Sequence, residues 1–367
     1  MSACSKKNLP MQNNTGQNRW GEYRERELAG LRPILKELGF ELEADQPHLG
    51  GERHLTRPLG SGRKLVLVGR RDGARVIIKA SSEAGGIKEI EHERTCREIL
   101  ERISFAYQTF LSPKELLFVC RGAYTILITE FIEQERPFVE RPVEEQFALA
   151  LKAFKAQESA HATTYAHARI IKNTFGEMRA AGYVKKIKRY TQEAKPHAAL
   201  GEACNFLSHN MQTLEQYGGF LTHWDFTPQN IRVRGGDIYL LDHSSLHFGN
   251  KYEGWARLIN FMALYNPPLA GALVQYVRDN RAPEESLALK LMRVYRLAEL
   301  VRYYVGWLPN TEDNLNELAK ARIAFWSEVL RAVLGDQEVP AAVIESYKQK
   351  RDSLRSEEEK LRQVGLH

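Results

Sequence analysis

Residues 1 to about 18 are polar, after which Trp20, Tyr23, Leu28, Leu31, Ile34 and Leu35 recur at near-helical intervals up to Gly39 and predict one amphipathic helix. From about 52 to 80 the period shortens. Leu55 to Leu59, the turn Gly60-Ser61-Gly62, Leu65 to Val68, the turn Asp72-Gly73 and Val76 to Lys79 predict three antiparallel strands joined by two tight turns. Residues 87 to 103 return to a helical period, and Leu116 to Cys120, Gly122-Ala123 and Tyr124 to Ile132 predict a further hairpin. From about 143 the period is mostly helical, interrupted by a strand-like block from Ile231 to Asp242, with no internal repeat.

Three strands, one helix and two strands followed by a long helical run describe an α+β chain with a small mixed lobe and a larger helical one, divided near Glu133 to Pro142. On this pattern 1–51 are an N-terminal extension carrying the amphipathic helix, 52–135 the small lobe, 136–335 the helical lobe and 336–367 a charged helix or tail. Tyr347-Lys348-Gln349-Lys350-Arg351 and Glu357-Glu358-Glu359-Lys360 make that last segment solvent-exposed by expectation.

Composition narrows the class. With 367 residues, 43% hydrophobic and 27% charged, the chain suits one large or two modest domains and excludes disorder and collagen-like order. Lys and Arg number 52 against 46 Asp and Glu, a formal +6 that suits acidic ligands without indicating a nucleic-acid partner. Cys4, Cys96, Cys120 and Cys204 form no Cys-x-x-Cys pair, so neither a disulfide framework nor a thiolate zinc site is signalled and a reducing cytoplasm is expected. The polar N-terminus lacks a secretory core. No apolar run approaches the roughly 18 residues that span a bilayer.

The chemistry concentrates in Leu221-Thr222-His223-Trp224-Asp225-Phe226-Thr227-Pro228-Gln229-Asn230, followed after two short strands by Asp242. A carboxylate and an amide five positions apart share one loop, and a second carboxylate ends the next hairpin. Such a set suits magnesium-dependent phosphoryl transfer, because a hard cation prefers carboxylate and amide oxygens and retains waters.

On these residues the chain resembles the aminoglycoside phosphotransferase and choline kinase family, of protein-kinase-like fold, over about 52 to 260. His223-x-Asp225-x-x-x-x-Asn230 matches its catalytic loop and Asp242 its metal aspartate. The resemblance implies a two-lobed kinase-like architecture with a nucleotide-binding antiparallel N-lobe. It implies Asp225 as the group that orients and deprotonates the attacking hydroxyl, Asn230 and Asp242 as ligands of Mg2+, and ATP, with GTP open, as donor. Lys79 ends a strand where the family places its phosphate-contacting lysine. The expected partner of that lysine is a helix glutamate. At about 100° per residue, Glu93 shares a face with Cys96, Leu100 and Ile103 while Glu91 and Glu98 point away, so Glu93 is chosen and Glu89, a turn earlier, is held in reserve. Gly60, Ser61 and Gly62 form a turn that is either a plain hairpin or a cradle for phosphate oxygens. Glu130, Phe131 and Ile132 fall where the family's backbone meets adenine, although Phe131 reads equally well as core.

Departures matter as much. Position 224 is usually small or polar in the family but is Trp here. Ser244 stands where many members carry a second acid, which puts the number of metal ions in doubt. Gly249 fits the pattern, and Glu253 is a candidate substitute for a later acidic position. His161 reads as a packed histidine and His223 as support for the catalytic loop, with His243 and His247 undecided.

The acceptor is a small-molecule hydroxyl compound by expectation: a sugar, an amino alcohol or a related metabolite. A polycationic aminoglycoside is disfavoured by Lys185, Lys186, Lys188, Arg189 and Lys195 against Glu193, although such a helix face is also what a merely solvated surface looks like. Trp255, Tyr265, Tyr295, Tyr303, Tyr304 and Trp307 are candidates for stacking on a ring, with core packing the plainer duty. The alternatives are a protein or lipopolysaccharide-sugar kinase of the same fold, and a catalytically silent nucleotide-binding module. Oligomeric state is left open.

Overall fold

One small sheet, covered by a helix on each face, organises the N-terminal part of the chain. The computed structural model describes residues 18–44, 46, 64–103, 111–194, 197–311 and 313–355. After α1 (Asn18–Glu37) come β1 (Glu41–Leu42), β2 (Leu65–Arg71), β3 (Ala74–Ser81), α2 (Ala84–Arg102), β4 (Glu115–Arg121) and β5 (Tyr124–Glu130). The strands form one antiparallel sheet in the order β1-β2-β3-β5-β4.

Side chains alternate across a strand, so each face has its own partner. Leu65, Leu67, Val76, Ile78, Ala80, Ile126 and Ile128 pack with Tyr23, Leu28, Leu31 and Leu35 of α1. The helix lies so close that a Cβ on Gly30 would collide with the Tyr124 hydroxyl oxygen. Glu27, also on α1 and 2% exposed, accepts from the Ser82 hydroxyl at 2.7 Å, tying the helix to the β3–α2 connection. The segment read as an N-terminal extension thus supplies a helix and an edge strand to the small lobe. The opposite face receives α2 and carries Lys79.

The expected strand at 55–59 lies outside the described residues. The place beside β2 is taken by β1, with Glu41 opposite Arg70 and Leu42 opposite Gly69. Gly69 allows this approach, since a Cβ there would stand 2.8 Å from the Glu41 carbonyl oxygen.

The larger part is helical: α3 (Val143–Ser159), α4 (His161–Phe175), α5 (Ala180–Glu193), α6 (Ala198–His209), α7 (Met211–Gln216), then α8 (Glu253–Tyr265), α9 (Pro267–Asn280), α10 (Pro283–Val305), α11 (Asp313–Leu334) and α12 (Ala341–Ser353). Between α7 and α8 sit two two-stranded sheets, β6 (Phe220–His223) with β9 (Leu246–Gly249) and β7 (Ile231–Arg234) with β8 (Asp237–Leu240). Helix α10 is central, burying Leu291, Met292, Val294, Leu297 and Val301. Trp255 stacks on Phe154 at 4.2 Å. Trp255, Tyr295, Tyr304 and Trp307 are all buried, so packing is their role. A separate apolar cluster joins the parts: Cys96, Leu100 and Ile103 of the α2 region meet Ile171, Phe175, Leu221, Leu246 and Phe248.

The terminal charged segment departs from expectation. Helix α12 docks on α11 through Ile344 and Tyr347, the latter stacked on Phe325 at 4.2 Å, and Arg351 reaches the Tyr265 hydroxyl at 3.1 Å. Two apolar anchors three residues apart suffice to seat a helix whose other faces are charged. The acidic run at 357–359 lies outside the described residues. Among the described residues no helix is long and apolar enough to cross a membrane.

Candidate active site

Three tethers shape the loop after β6. The Trp224 N–H donates to the Ser245 carbonyl at 3.1 Å, and the Leu241 N–H donates to the Asn230 carbonyl at 2.9 Å. His223 Nε2 faces the carbonyls of Leu241 and Asp242 at 3.1 and 3.0 Å. Both are acceptors, so Nε2 carries the proton. Burial pushes this imidazole's pKa down despite the Asp225 and Asp242 carboxylates nearby. His223 is therefore a neutral brace, and the tethers hold Asp225, Asn230 and Asp242 on adjoining segments.

Asn230 donates through Nδ2 to the Asp225 carbonyl at 2.9 Å and to its Oδ2 at 2.8 Å. That arrangement leaves the amide oxygen of Asn230 as the side chain's remaining polar atom. Oδ1 of Asp225 accepts from Arg257, on α8, at 3.0 Å from Nε and 2.9 Å from Nη2. Burial works against ionisation of Asp225, but the Arg257 guanidinium and the other positive groups around it hold its pKa below the ordinary value.

Asp242 adopts a left-handed backbone with φ of 56°, which Asp tolerates better than most residues. Ser244 donates to its Oδ1 at 2.5 Å and Ser245 to its Oδ2 at 3.0 Å. Against the opposing effect of burial, the ammonium groups of Lys64 and Lys79 bring its pKa to about 2. Asp242 and the Asn230 amide oxygen are hard donors. Among the described residues no cluster of three or more His, Cys, Asp or Glu side chains could hold a metal. A cation seated on these two would complete its shell with phosphate oxygens and water, which is how Mg2+ binds beside a nucleotide.

Lys79 reaches both oxygens of Glu93 at 2.5 Å. Burial opposes the charge on Glu93, and Lys79 and Lys64 restore it, so its pKa lies below the ordinary value. Glu93, Cys96, Leu100 and Ile103 are all buried, while Glu98 pairs with Arg94 at 2.8 Å. The reserve candidate Glu89 instead pairs with Lys64. Gly60, Ser61 and Gly62 lie outside the described residues.

At the junction of the lobes, the N–H groups of Glu130 and Phe131 are committed to the carbonyls of Lys114 at 2.9 Å and Arg75 at 3.3 Å. Among the described residues the Ile132 N–H has no such partner. Ile132 is buried, and the half-buried Phe131 ring lies 3.9 Å from the Arg75 guanidinium carbon. Arg234 of β7 reaches the Glu130 carboxylate at 3.3 Å and pins the junction to the large lobe.

Beneath the loop lies a buried hub at Glu253. It accepts from the Tyr183 hydroxyl at 2.6 Å, meets His247 Nε2 at 2.8 Å and faces Arg296 at 3.7 Å. Burial would raise the pKa of Glu253, but His247, Arg296 and Tyr183 bring it to about 2. Arg296 in turn donates to the Trp224 carbonyl at 2.8 Å. A Cβ on Gly249 would fall 2.6 Å from both Glu253 Oε2 and His247 Nε2, so only glycine leaves room for the hub. His161 packs as expected, stacked on Phe220 at 3.7 Å.

Trp224 avoids the positive φ it would resist and finds space by standing 39% exposed, its ring 5.3 Å from that of His247. Lys186 lies 5.6 Å from the indole. Helix α5 buries Tyr183, Val184, Ile187 and Tyr190 and turns its basic residues outward. There Lys185, Lys186, Lys188 and Arg189, with Met178 and Met211, line an open groove of about 900 Å³ whose lining contains no acid. Lys195 lies outside the described residues.

Lys64 and Arg257 escaped the sequence reading because their partners come from remote elements. The one available signal for Lys64 was strand alternation with Val66.

No protein-family model matches the sequence, and no curated protein matches it. Solved structures do match in shape. An amicoumacin kinase in complex with AMP-PNP, Ca2+ and its ligand superposes with a TM-score of 0.55 at 11% identity, covering 88% of this chain and 97% of that one. A thermostable aminoglycoside phosphotransferase mutant in ternary complex with AMP-PNP and hygromycin B gives 0.54 at 15% identity, over 80% and 93% of the two chains. The chain has the fold of the aminoglycoside phosphotransferases. A type I macrolide 2'-phosphotransferase aligns comparably, at 0.54 and 13% identity over 81% and 97%. In this two-lobed, protein-kinase-like fold, the elements described above place the Lys79–Glu93 pair in the small lobe and the Asp225 loop in the large one.

Proposed function

We propose that this protein is an ATP- and Mg2+-dependent phosphotransferase that moves the γ-phosphate to a hydroxyl of a small molecule. The observation that carries the reading is the co-location of an orienting carboxylate, Asp225, with a metal-type pair, Asn230 and Asp242, under a lysine already engaged by its helix glutamate. Phosphoryl transfer through a loose transition state asks for positioning and charge neutralisation rather than covalent chemistry. Asp242 and the Asn230 oxygen would hold Mg2+, which when bound neutralises phosphate charge. Lys79 contacts the phosphates, the Ile132 N–H meets the base, and Asp225 accepts the acceptor hydroxyl's proton. GTP in place of ATP is decided by the same backbone edge.

The surroundings of Asp225 favour a neutral or anionic acceptor over an aminoglycoside. Arg257 contacts the carboxylate itself, Arg296 stands behind Trp224, and the neighbouring groove is basic. A polycation would meet repulsion there. Support comes from solved structures of the same fold, which are complexed with hygromycin B in one case and amicoumacin in another, small molecules of differing chemistry.

The test is a screen of metabolite pools for a compound that becomes phosphorylated and whose addition speeds nucleotide turnover, with Asp225→Asn as the control. The variant should bind nucleotide nearly as the parent does while turnover falls by about 10²–10⁴. A variant as fast as the parent removes Asp225 from its role. Radiolabel from ATP appearing in protein or saccharide polymer rather than in a metabolite would move the acceptor to a macromolecule. No metal-dependent stabilisation by ATP would favour a silent module.

A further inference from the structure

Lys79 has a companion. In the β2–β3 register Val66 stands opposite Lys79, and cross-strand partners share a face. Alternation then returns Lys64, two residues before Val66, to the same face. Across from the two lysines, α2 presents Glu89 and Glu93 one turn apart. The result is a ladder of two rungs, Lys64 with Glu89 and Lys79 with Glu93.

We propose that Lys64 is a second phosphate-binding residue of the nucleotide site, exchanging Glu89 for phosphate oxygens when the nucleotide enters. The inference rests on the phosphotransfer reading above and adds a residue to it. The rungs are unequal in a way that suits exchange. Glu93 is 3% exposed and locked to Lys79, whereas Glu89 is 39% exposed. Water reaches the Glu89 end of the pair, so that carboxylate can be resolvated when a more highly charged anion takes its place beside Lys64. Lys64 itself is only 16% exposed and shares the sheet face of Lys79, the face against which phosphates would lie.

The charge pattern supplies a reason for the second lysine. Ser244 brings no carboxylate to a second metal, and its hydroxyl is committed to Asp242. A triphosphate carries more negative charge than one divalent ion and one lysine offset, and Lys64 makes up the difference with a group fixed to the sheet.

Binding of AMP-PNP and of adenosine to the full chain, measured by calorimetry with Mg2+, tests this. Lys64→Met should weaken AMP-PNP by about tenfold or more while leaving adenosine unchanged, since one charge-assisted phosphate contact is lost. Lys64→Arg keeps the positive charge and should lose less affinity than Lys64→Met, and Glu89→Gln should bind AMP-PNP at least as tightly because it releases the lysine. Equal binding by Lys64→Met, an equal loss for adenosine, or weaker binding by Glu89→Gln overturns the role. The Arg and Gln variants keep the question decidable if the Met variant does not fold. A parent that binds no AMP-PNP at all overturns the phosphotransfer reading together with this one; a parent that binds while Lys64→Met matches it overturns only the role of Lys64.

Discussion

Two nitrogens of Arg257 converge on a single oxygen of Asp225, at 3.0 and 2.9 Å, while Asn230 holds the other oxygen at 2.8 Å. A carboxylate so engaged is a weak base and a precise one. It suits a reaction in which the hydroxyl must be aimed more than deprotonated early.

The guanidinium opposes protonation of Asp225, so its removal shifts the acid limb of the rate profile. With the folded pKa held below the ordinary value, the ionised form persists to low pH. In Arg257→Met burial acts without that opposition, the pKa rises, and activity should be lost at a higher pH than in the parent. Turnover measured from pH 4 to 8 shows this; an acid limb that does not move, or moves to lower pH, contradicts it.

The Lys79–Glu93 pair predicts strong coupling. Removing either partner strands a buried charge, at a penalty of about 3–5 kcal/mol. Lys79→Met with Glu93→Met together should be less destabilising than the sum of the single changes, as urea unfolding of the four proteins would measure. Simple additivity would mean that the ion pair is not the relevant contact.

Glu253 gives a pH signature in stability. Its folded pKa of about 2 lies below the ordinary 4.5, so its contribution is complete above about 4.5 and disappears as pH falls through 2. The shift corresponds to about 3 kcal/mol at neutral pH. Glu253→Gln should be less stable than the parent at pH 7 by that order, and the gap should close on acidification. Denaturant unfolding at a series of pH values measures it, and a gap independent of pH would remove the charge as its cause.

Trp224 stands 39% exposed beside Asp225 and buries the rest of its ring near His247 and Lys186, so Trp224→Ala should cost about 1–3 kcal/mol of stability. The acceptor KM should rise while nucleotide affinity holds. Steady-state kinetics in the acceptor and in ATP separate the two; a rise confined to the ATP KM contradicts an acceptor-side position.

Much of this site was legible because its residues lie close in sequence or on one periodic face. Asp225, Asn230 and Asp242 fall within one loop and hairpin. Glu93 could be chosen over Glu91 and Glu98 because Cys96, Leu100 and Ile103 mark the buried stripe. What stayed hidden depended on tertiary contact. A strand of two residues, Glu41–Leu42, carries no period, and its pairing follows from the missing side chain of Gly69. Helix α12 read as solvent-exposed because two anchors, Ile344 and Tyr347, are outnumbered by charge. Arg257 meets Asp225 from 32 positions away, a contact no local pattern announces.

The proposed reaction requires Asn230 and Asp242 together to seat one divalent ion against the nucleotide beside Asp225. Mn2+ titration followed by electron paramagnetic resonance, with AMP-PNP present, tests it most directly. One tight site is expected in the parent, abolished in Asp242→Asn and weakened in Asn230→Ala. Undiminished Mn2+ binding in Asp242→Asn, with nucleotide still bound, would contradict it.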